Sequence, residues 1–337
     1  MTARRATRRG QRVGAALAAL GVVLTLGACA GGPEPVTVGL ITKQEVNPYW
    51  VTMKESAQNE AGRENVDLLT ATGRSDIDVD SQREAIRDMV ARGARGILVA
   101  PTDSTALTAT IEEARRAGVI VIALDTPVEP GSAVDAFYAT DNHEAGRIVG
   151  AYAAAKAREL GLEPRVAMLN LAPGIGSGEQ RRDGFLEGMG LRADSPQLVA
   201  SSDSEGNRDL GKEQMASILA QHGDITIVYT VNEQAGLGAV DALKEAGADL
   251  SRMVVVSIDG GCEAMRAAVR PGDIDATAMQ FPENMAREGV RSVARAARGE
   301  AAAPTGYLDT GTELVTDAPA PGIVSRDVPY GIRNCWG

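Results

Sequence analysis

From Val36 onward the chain alternates short runs of β-branched and aliphatic residues with longer segments of helical period. This alternation restricts the fold more than any other feature, because parallel strands need a crossover between them and a helix is the usual one. The expected strands are Val36–Thr42, Val66–Ala71, Gly96–Ala100, Val119–Asp125, Arg165–Asn170, Gln197–Ala200, Thr226–Thr230, Met253–Asp259 and Asp275–Gln280. Their near-continuous apolar character suits strands covered on both faces. Between them fall helical segments such as Trp50–Arg63, in which Trp50, Met53, Ala57 and Ala61 share one face.

One sheet holding all these strands would be very wide, and two doubly wound lobes fit the length better. Ala136–Asp141 is short and follows Gly131-Ser132, which suits a crossing between lobes. The tail from Gly299 to Gly337 carries four prolines and little periodicity, and is expected to wrap the surface.

The N-terminus has five arginines and no acid before an apolar run from Val13 to Leu26, too short to span a bilayer. This reads as a signal peptide. Removing residues 1–28 leaves 29 basic against 45 acidic side chains, which argues against nucleic acid as a partner. Export also places Cys262 and Cys335 where oxidation is permitted, so they are either bridged or two buried thiols.

Several apolar strands end in a hydrogen-bonding side chain: Asp125, Asn232, Asp259 and Gln280. The carboxyl ends of parallel strands form the ligand crevice of open α/β sheets, so these residues are expected to line one cleft. Turn and helix-cap roles are the competing explanation for each one singly. Asn47-Pro48-Tyr49-Trp50 follows the first strand and holds two of only eleven aromatic residues, which could stack on a sugar face.

Catalysis has little to work with. Two histidines, His143 and His222, exclude a multi-histidine metal site, and neither is placed for a hydrolytic triad. Gly174-Ile175-Gly176-Ser177-Gly178 matches neither the dinucleotide fingerprint nor the phosphate loop, and is read as a flexible lip. No catalytic residue, metal or cofactor is assigned.

Taken in order, several motifs resemble the ribose-binding branch of the type I periplasmic sugar-binding proteins, and most closely its fructose-binding members. They are Asn47-Pro48-Tyr49-Trp50, Ala123-Leu124-Asp125-Thr126-Pro127, Ala139-Thr140-Asp141-Asn142, Arg181 through Phe185, Val231-Asn232-Glu233, Ser257 through Cys262 and Gln280-Phe281-Pro282. Asp309 through Asp317 and the final Cys335-Trp336-Gly337 resemble the fructose-binding branch in particular. Leu26-Gly27-Ala28-Cys29 resembles a lipobox, which makes Cys29 the lipidated first residue of a mature protein.

The resemblance implies an α/β protein of two doubly wound parallel-sheet lobes joined by three crossing strands, closing on one monosaccharide. Residues 1–28 would be signal and 29–35 a tether. The N-terminal lobe would take 36–139 plus 281–309, and the C-terminal lobe and tail 140–280 plus 310–337. It implies Lys43, Asn47, Tyr49, Trp50 and Asp125 as ligand residues of the first lobe and Arg181, Asn232 and Asp259 of the second, with Thr140 and Gln280 near the crossings. Thr126 in place of an arginine, Lys43 in place of a serine, Ala100 in place of an asparagine and Gly206 in place of an aromatic depart from the ribose pattern, and Thr126 and Lys43 agree with the fructose-binding branch, which makes fructose the first expectation. Ribose, another monosaccharide or a polyol such as inositol are the alternatives. The expected partners are an ABC permease with its ATPase, and the membrane through the lipid on Cys29. The protein is expected to be an extracytoplasmic monomer that either delivers sugar for import or presents it to a sensor.

Overall fold

The computed structural model describes residues 34–337. The expected signal peptide and Cys29 lie outside the described residues.

The strands are β1 (Val36–Thr42), β2 (Val66–Thr72), β3 (Gly96–Val99), β4 (Ile120–Leu124), β5 (Ala136–Ala139), β6 (Val166–Asn170), β7 (Leu198–Asp203), β8 (Ile227–Thr230), β9 (Val254–Asp259), β10 (Ala276–Met279), β11 (Gly306–Asp309) and β12 (Glu313–Val315). They form two six-stranded sheets of matching order, β2-β1-β3-β4-β5-β11 and β7-β6-β8-β9-β10-β12. Every pairing is parallel except that of β12 with β10. In each sheet the order reverses beside the first strand, which opens a crevice at the carboxyl ends.

The helices are α1 (Pro48–Arg63), α2 (Val79–Ala91), α3 (Thr108–Arg116), α4 (Asn142–Leu160), α5 (Gly176–Met189), α6 (Arg208–Gln221), α7 (Glu233–Glu245), a single turn α8 (Cys262–Ala264), α9 (Pro282–Ala297) and α10 (Val328–Asn334). Alternation along β1 sends Val38 and Leu40 to a core shared with α1 and α9, and Ile41 to one shared with α2 and α3. The second sheet is covered likewise, by α4 and α5 on one face and by α6 and α7 on the other. The chain passes from one sheet to the other after β5, returns after β10, and passes again between β11 and β12.

The tail departs from expectation. It supplies β11, β12 and α10 rather than an irregular wrap. All four residues of β11 are exposed and β12 has only three, so neither carries an apolar period; backbone pairing at a sheet edge recruits them. The glycine-rich segment also differs, since Gly176, Ser177 and Gly178 form the first turn of α5.

Helices α4 and α5 pack backbone to backbone. A methyl group on Gly146 would stand 2.0 Å from the Arg181 carbonyl oxygen, and one on Gly184 2.0 Å from that of His143. Only glycine allows this approach. It brings Asn142 at the start of α4 against Arg181 of α5, where Arg181 Nε donates to Asn142 Oδ1 at 2.7 Å.

Cys262 and Cys335 are bonded, with their Cα atoms 4.9 Å apart. The bridge ties the C-terminus to the end of β9, and the Cys262 amide donates to the Trp336 carbonyl at 2.8 Å. Trp336 then reaches the core of the first sheet, edge-on to Tyr49 with ring centroids 5.2 Å apart. Closing a 73-residue loop is worth about 4 kcal/mol on the chain-entropy account. Urea unfolding of the Cys262→Ser/Cys335→Ser variant should show a loss of about that size, and an unchanged midpoint would show that the bridge carries no stability.

Candidate functional site

The carboxyl ends of both sheets face one cavity of about 350 Å³ including its mouth, lined by Lys43, Asn47, Tyr49, Trp50, Asp76, Asp125, Leu171, Ser177, Arg181, Asn232 and Asp259.

Arg181 is its centre. The side chain is buried and lies 3.6 Å from Asp125 Oδ1, which follows β4 of the first sheet, and 3.5 Å from Asp259 Oδ1, the last residue of β9 in the second. Its Nη1 also donates to the Val231 carbonyl at 3.1 Å. The guanidinium pKa is raised: burial alone would lower it, and the two flanking carboxylates more than compensate. Both aspartates have positive φ, +62° at Asp125 and +115° at Asp259. Such backbone is strained in a non-glycine residue and persists where its surroundings enforce it.

Asp125 carries most of the first lobe's network. Tyr49 Oη donates to its Oδ1 at 3.0 Å and Thr126 Oγ1 to its Oδ2 at 2.8 Å. A threonine hydroxyl has one proton and two acceptor sites. With the proton given to Asp125, Thr126 accepts from Lys43 Nζ at 2.9 Å, and its 2.8 Å contact with Ser177 Oγ requires Ser177 to be the donor. That last bond joins the lobes. Ser104 and the Gly174–Gly176 segment add two more, at 3.0 and 3.1 Å. The lip is therefore held down, and the structure is a closed one. Lys43 is buried, which lowers its pKa against the opposing pull of Asp125 and Asp76, and its ammonium lies 5.3 Å from the Trp50 ring centroid.

Asn47 and Asn232 line the cavity and also cap helices, accepting from the amides of Tyr49 and Ala235. The cap and cleft roles coexist. Thr140 and Gln280 are buried but stand behind the wall. Thr140 Oγ1 donates to the Gly311 carbonyl at 3.1 Å, joining two crossings. Gln280 Nε2 donates to Asp259 Oδ1 at 2.5 Å, and its backbone carbonyl accepts from Trp336 Nε1 at 2.8 Å.

Asp76, Leu171 and Ser177 line the cavity although the sequence did not single them out. Asp76 follows the end of β2, so the strand-end rule could have reached it, but Asp78 two residues later is the N-cap of α2 and takes the obvious role.

Two sheets whose strand ends meet around an enclosed polar cavity define a two-lobed binding-protein fold. A sequence model of the periplasmic binding protein domain matches residues 38–301, and the chain belongs to that family. It is 29% identical to the ribose import binding protein RbsB of Bacillus subtilis over 75% of this chain and 79% of that one, and 29% identical to RbsB of Escherichia coli K12 over 83% and 90%. A crystal structure of a carbohydrate transporter solute-binding protein from Agrobacterium radiobacter in complex with D-arabinose superposes with a TM-score of 0.79 at 25% identity, covering 91% of this chain and all of that one.

Behind Asp259 lies Glu233, fully buried, accepting from the Gly261 amide at 2.6 Å through Oε2 and leaving Oε1 without a partner. Burial first, then the Asp259 charge, push its carboxyl well above the ordinary glutamate range, and burial raises the Asp259 carboxyl as well. The folded state therefore keeps a proton that the unfolded chain has lost above about pH 4.3. The stability this contributes is complete below that value and is lost as pH rises through the raised value of the folded state. Thermal melts should fall from pH 5 to pH 9, by at most about 1.4 kcal/mol per pH unit from this group. Glu233→Gln should flatten the decline; an unchanged pH profile in the variant would contradict it.

Proposed function

We propose that this chain is the extracytoplasmic sugar-binding component of an ABC importer, closing its two lobes on one monosaccharide, with D-fructose the first choice. The observation that carries this reading is the placement of Asp125 and Asp259, on different sheets, against the single guanidinium of Arg181. A ligand bonded to this triad contacts both lobes only when they are closed, so binding shifts the population toward the closed form. The RbsB proteins, named as ribose import binding proteins, and the arabinose complex support a carbohydrate ligand and a transport role.

The cavity wall holds three carboxylates, Asp76, Asp125 and Asp259, against the two cations Lys43 and Arg181. Carboxylates accept from hydroxyls, and their excess disfavours sugar acids and sugar phosphates. Support for fructose comes from Lys43 and Thr126, the two departures from the ribose pattern that agree with the fructose-binding branch; they bond directly to each other beside Asp125. The lobe division is proposed as 36–139 plus 281–309 and 140–280 plus 310–337. Cys29 is proposed as the lipid anchor. A monomer acting with a permease and its ATPase completes the reading, and presentation of sugar to a sensor is its alternative.

Titration calorimetry against fructose, ribose, xylose, galactose, mannose and inositol, with gluconate and fructose 6-phosphate as anionic controls, tests this reading. Fructose should bind tightest and the anions not at all; no heat with fructose and tight binding of another sugar would reassign the ligand. Arg181→Ala should weaken binding by about 100-fold or more, because it removes one partner of a buried charged network. Normal affinity in that variant would remove Arg181 from the site.

A further inference from the structure

Asp76 is a cavity carboxylate that the protein leaves half used. It lies in the turn between β2 and α2 and is only 9% exposed. Gln44 Nε2 donates to its Oδ2 at 3.0 Å, while Oδ1 has no hydrogen-bond partner. The Gln44 amide is itself oriented, because its Oε1 accepts from the backbone amides of Asn47 at 3.0 Å and Val46 at 3.3 Å. Lys43, the nearby cation, is engaged with Thr126 and Asp125 instead.

On the same wall Trp50 Nε1 is also buried without a partner. Burial raises the Asp76 carboxyl, and the indole N–H lies close enough to favour its ionised form, but the contact between the two falls outside hydrogen-bond geometry. Buried donors and acceptors left unmatched are costly, and native interiors hold few of them. Here an orphan acceptor and an orphan donor line one cavity. A hydroxyl satisfies both, donating to the carboxylate while accepting from the indole N–H. An ammonium could only donate, and a carboxylate or phosphate could only accept, facing a like charge.

We propose that Asp76 and Trp50 together read one hydroxyl of the bound sugar, which makes Asp76 a specificity-determining residue. This rests on the sugar-binding reading above. It gives Trp50 a polar role beside that of an apolar wall.

The test is calorimetry on the whole mature protein with D-fructose and its monodeoxy analogues, or with the corresponding series of whichever monosaccharide of the panel binds tightest. Asp76→Asn keeps the shape. With Gln44 donating, however, the new amide turns its oxygen to Gln44 and its NH₂ toward the ligand, which reverses the polarity offered to the hydroxyl. The variant should lose about 10- to 100-fold in affinity for the parent sugar, the worth of a hydrogen bond to a charged group. One deoxy analogue should bind the wild type about as weakly and lose little further in the variant, since both changes remove the same contact. Trp50→Phe should compress discrimination at that same position and at no other, and this decides the matter if Asp76→Asn does not fold. A folded Asp76→Asn protein with wild-type affinity and the wild-type ranking of deoxy analogues overturns the proposal while leaving sugar binding intact. Absence of binding of every panel sugar by the wild type overturns both.

Discussion

The structure depends on one buried contact, the guanidinium of Arg181 held between Asp125 and Asp259. Taking three charges out of water is expensive, and their attraction compensates only where geometry and further hydrogen bonds are good. Here further bonds are present: Asn142, the Val231 carbonyl, Tyr49, Thr126 and Gln280 each bond to a member of the triad. The two carboxylates hang from different sheets, so this one contact ties the sheets to each other.

Much of the fold serves to present those side chains. Both aspartates sit on strained backbone at strand ends, which turns them into the cleft. Arg181 reaches them because glycines let α4 and α5 touch along their backbones. The disulfide holds Trp336 across the boundary between lobes, where its indole donates to Gln280 and its ring meets Tyr49. Residues that never touch the cavity thus fix those that do, and a small polar site acquires rigidity.

The sheet-forming part of the fold was legible in the sequence because its strands are buried on both faces and carry long apolar runs; Val36–Thr42 is read to the residue. Strands β11 and β12 were not, since short edge segments owe their conformation to a partner's backbone rather than to their own side chains. Strand-end chemistry pointed to Asp125, Asn232 and Asp259, which the structure places around one cavity, and to Gln280, which it places behind the wall. Asp76 and Ser177 escaped notice for a shared reason: each lies in a segment with a cheaper local explanation, a helix cap next door or a run of glycines. Only the three-dimensional arrangement shows which polar atoms lack partners, and that information is absent from any linear pattern.

Closure on a sugar, as proposed above, can be followed by small-angle X-ray scattering of the mature protein with and without saturating D-fructose. The radius of gyration should fall with sugar, approaching that calculated for the closed arrangement, in which Thr126 and Ser177 touch across the cleft. Binding detected by calorimetry together with an unchanged radius would contradict it.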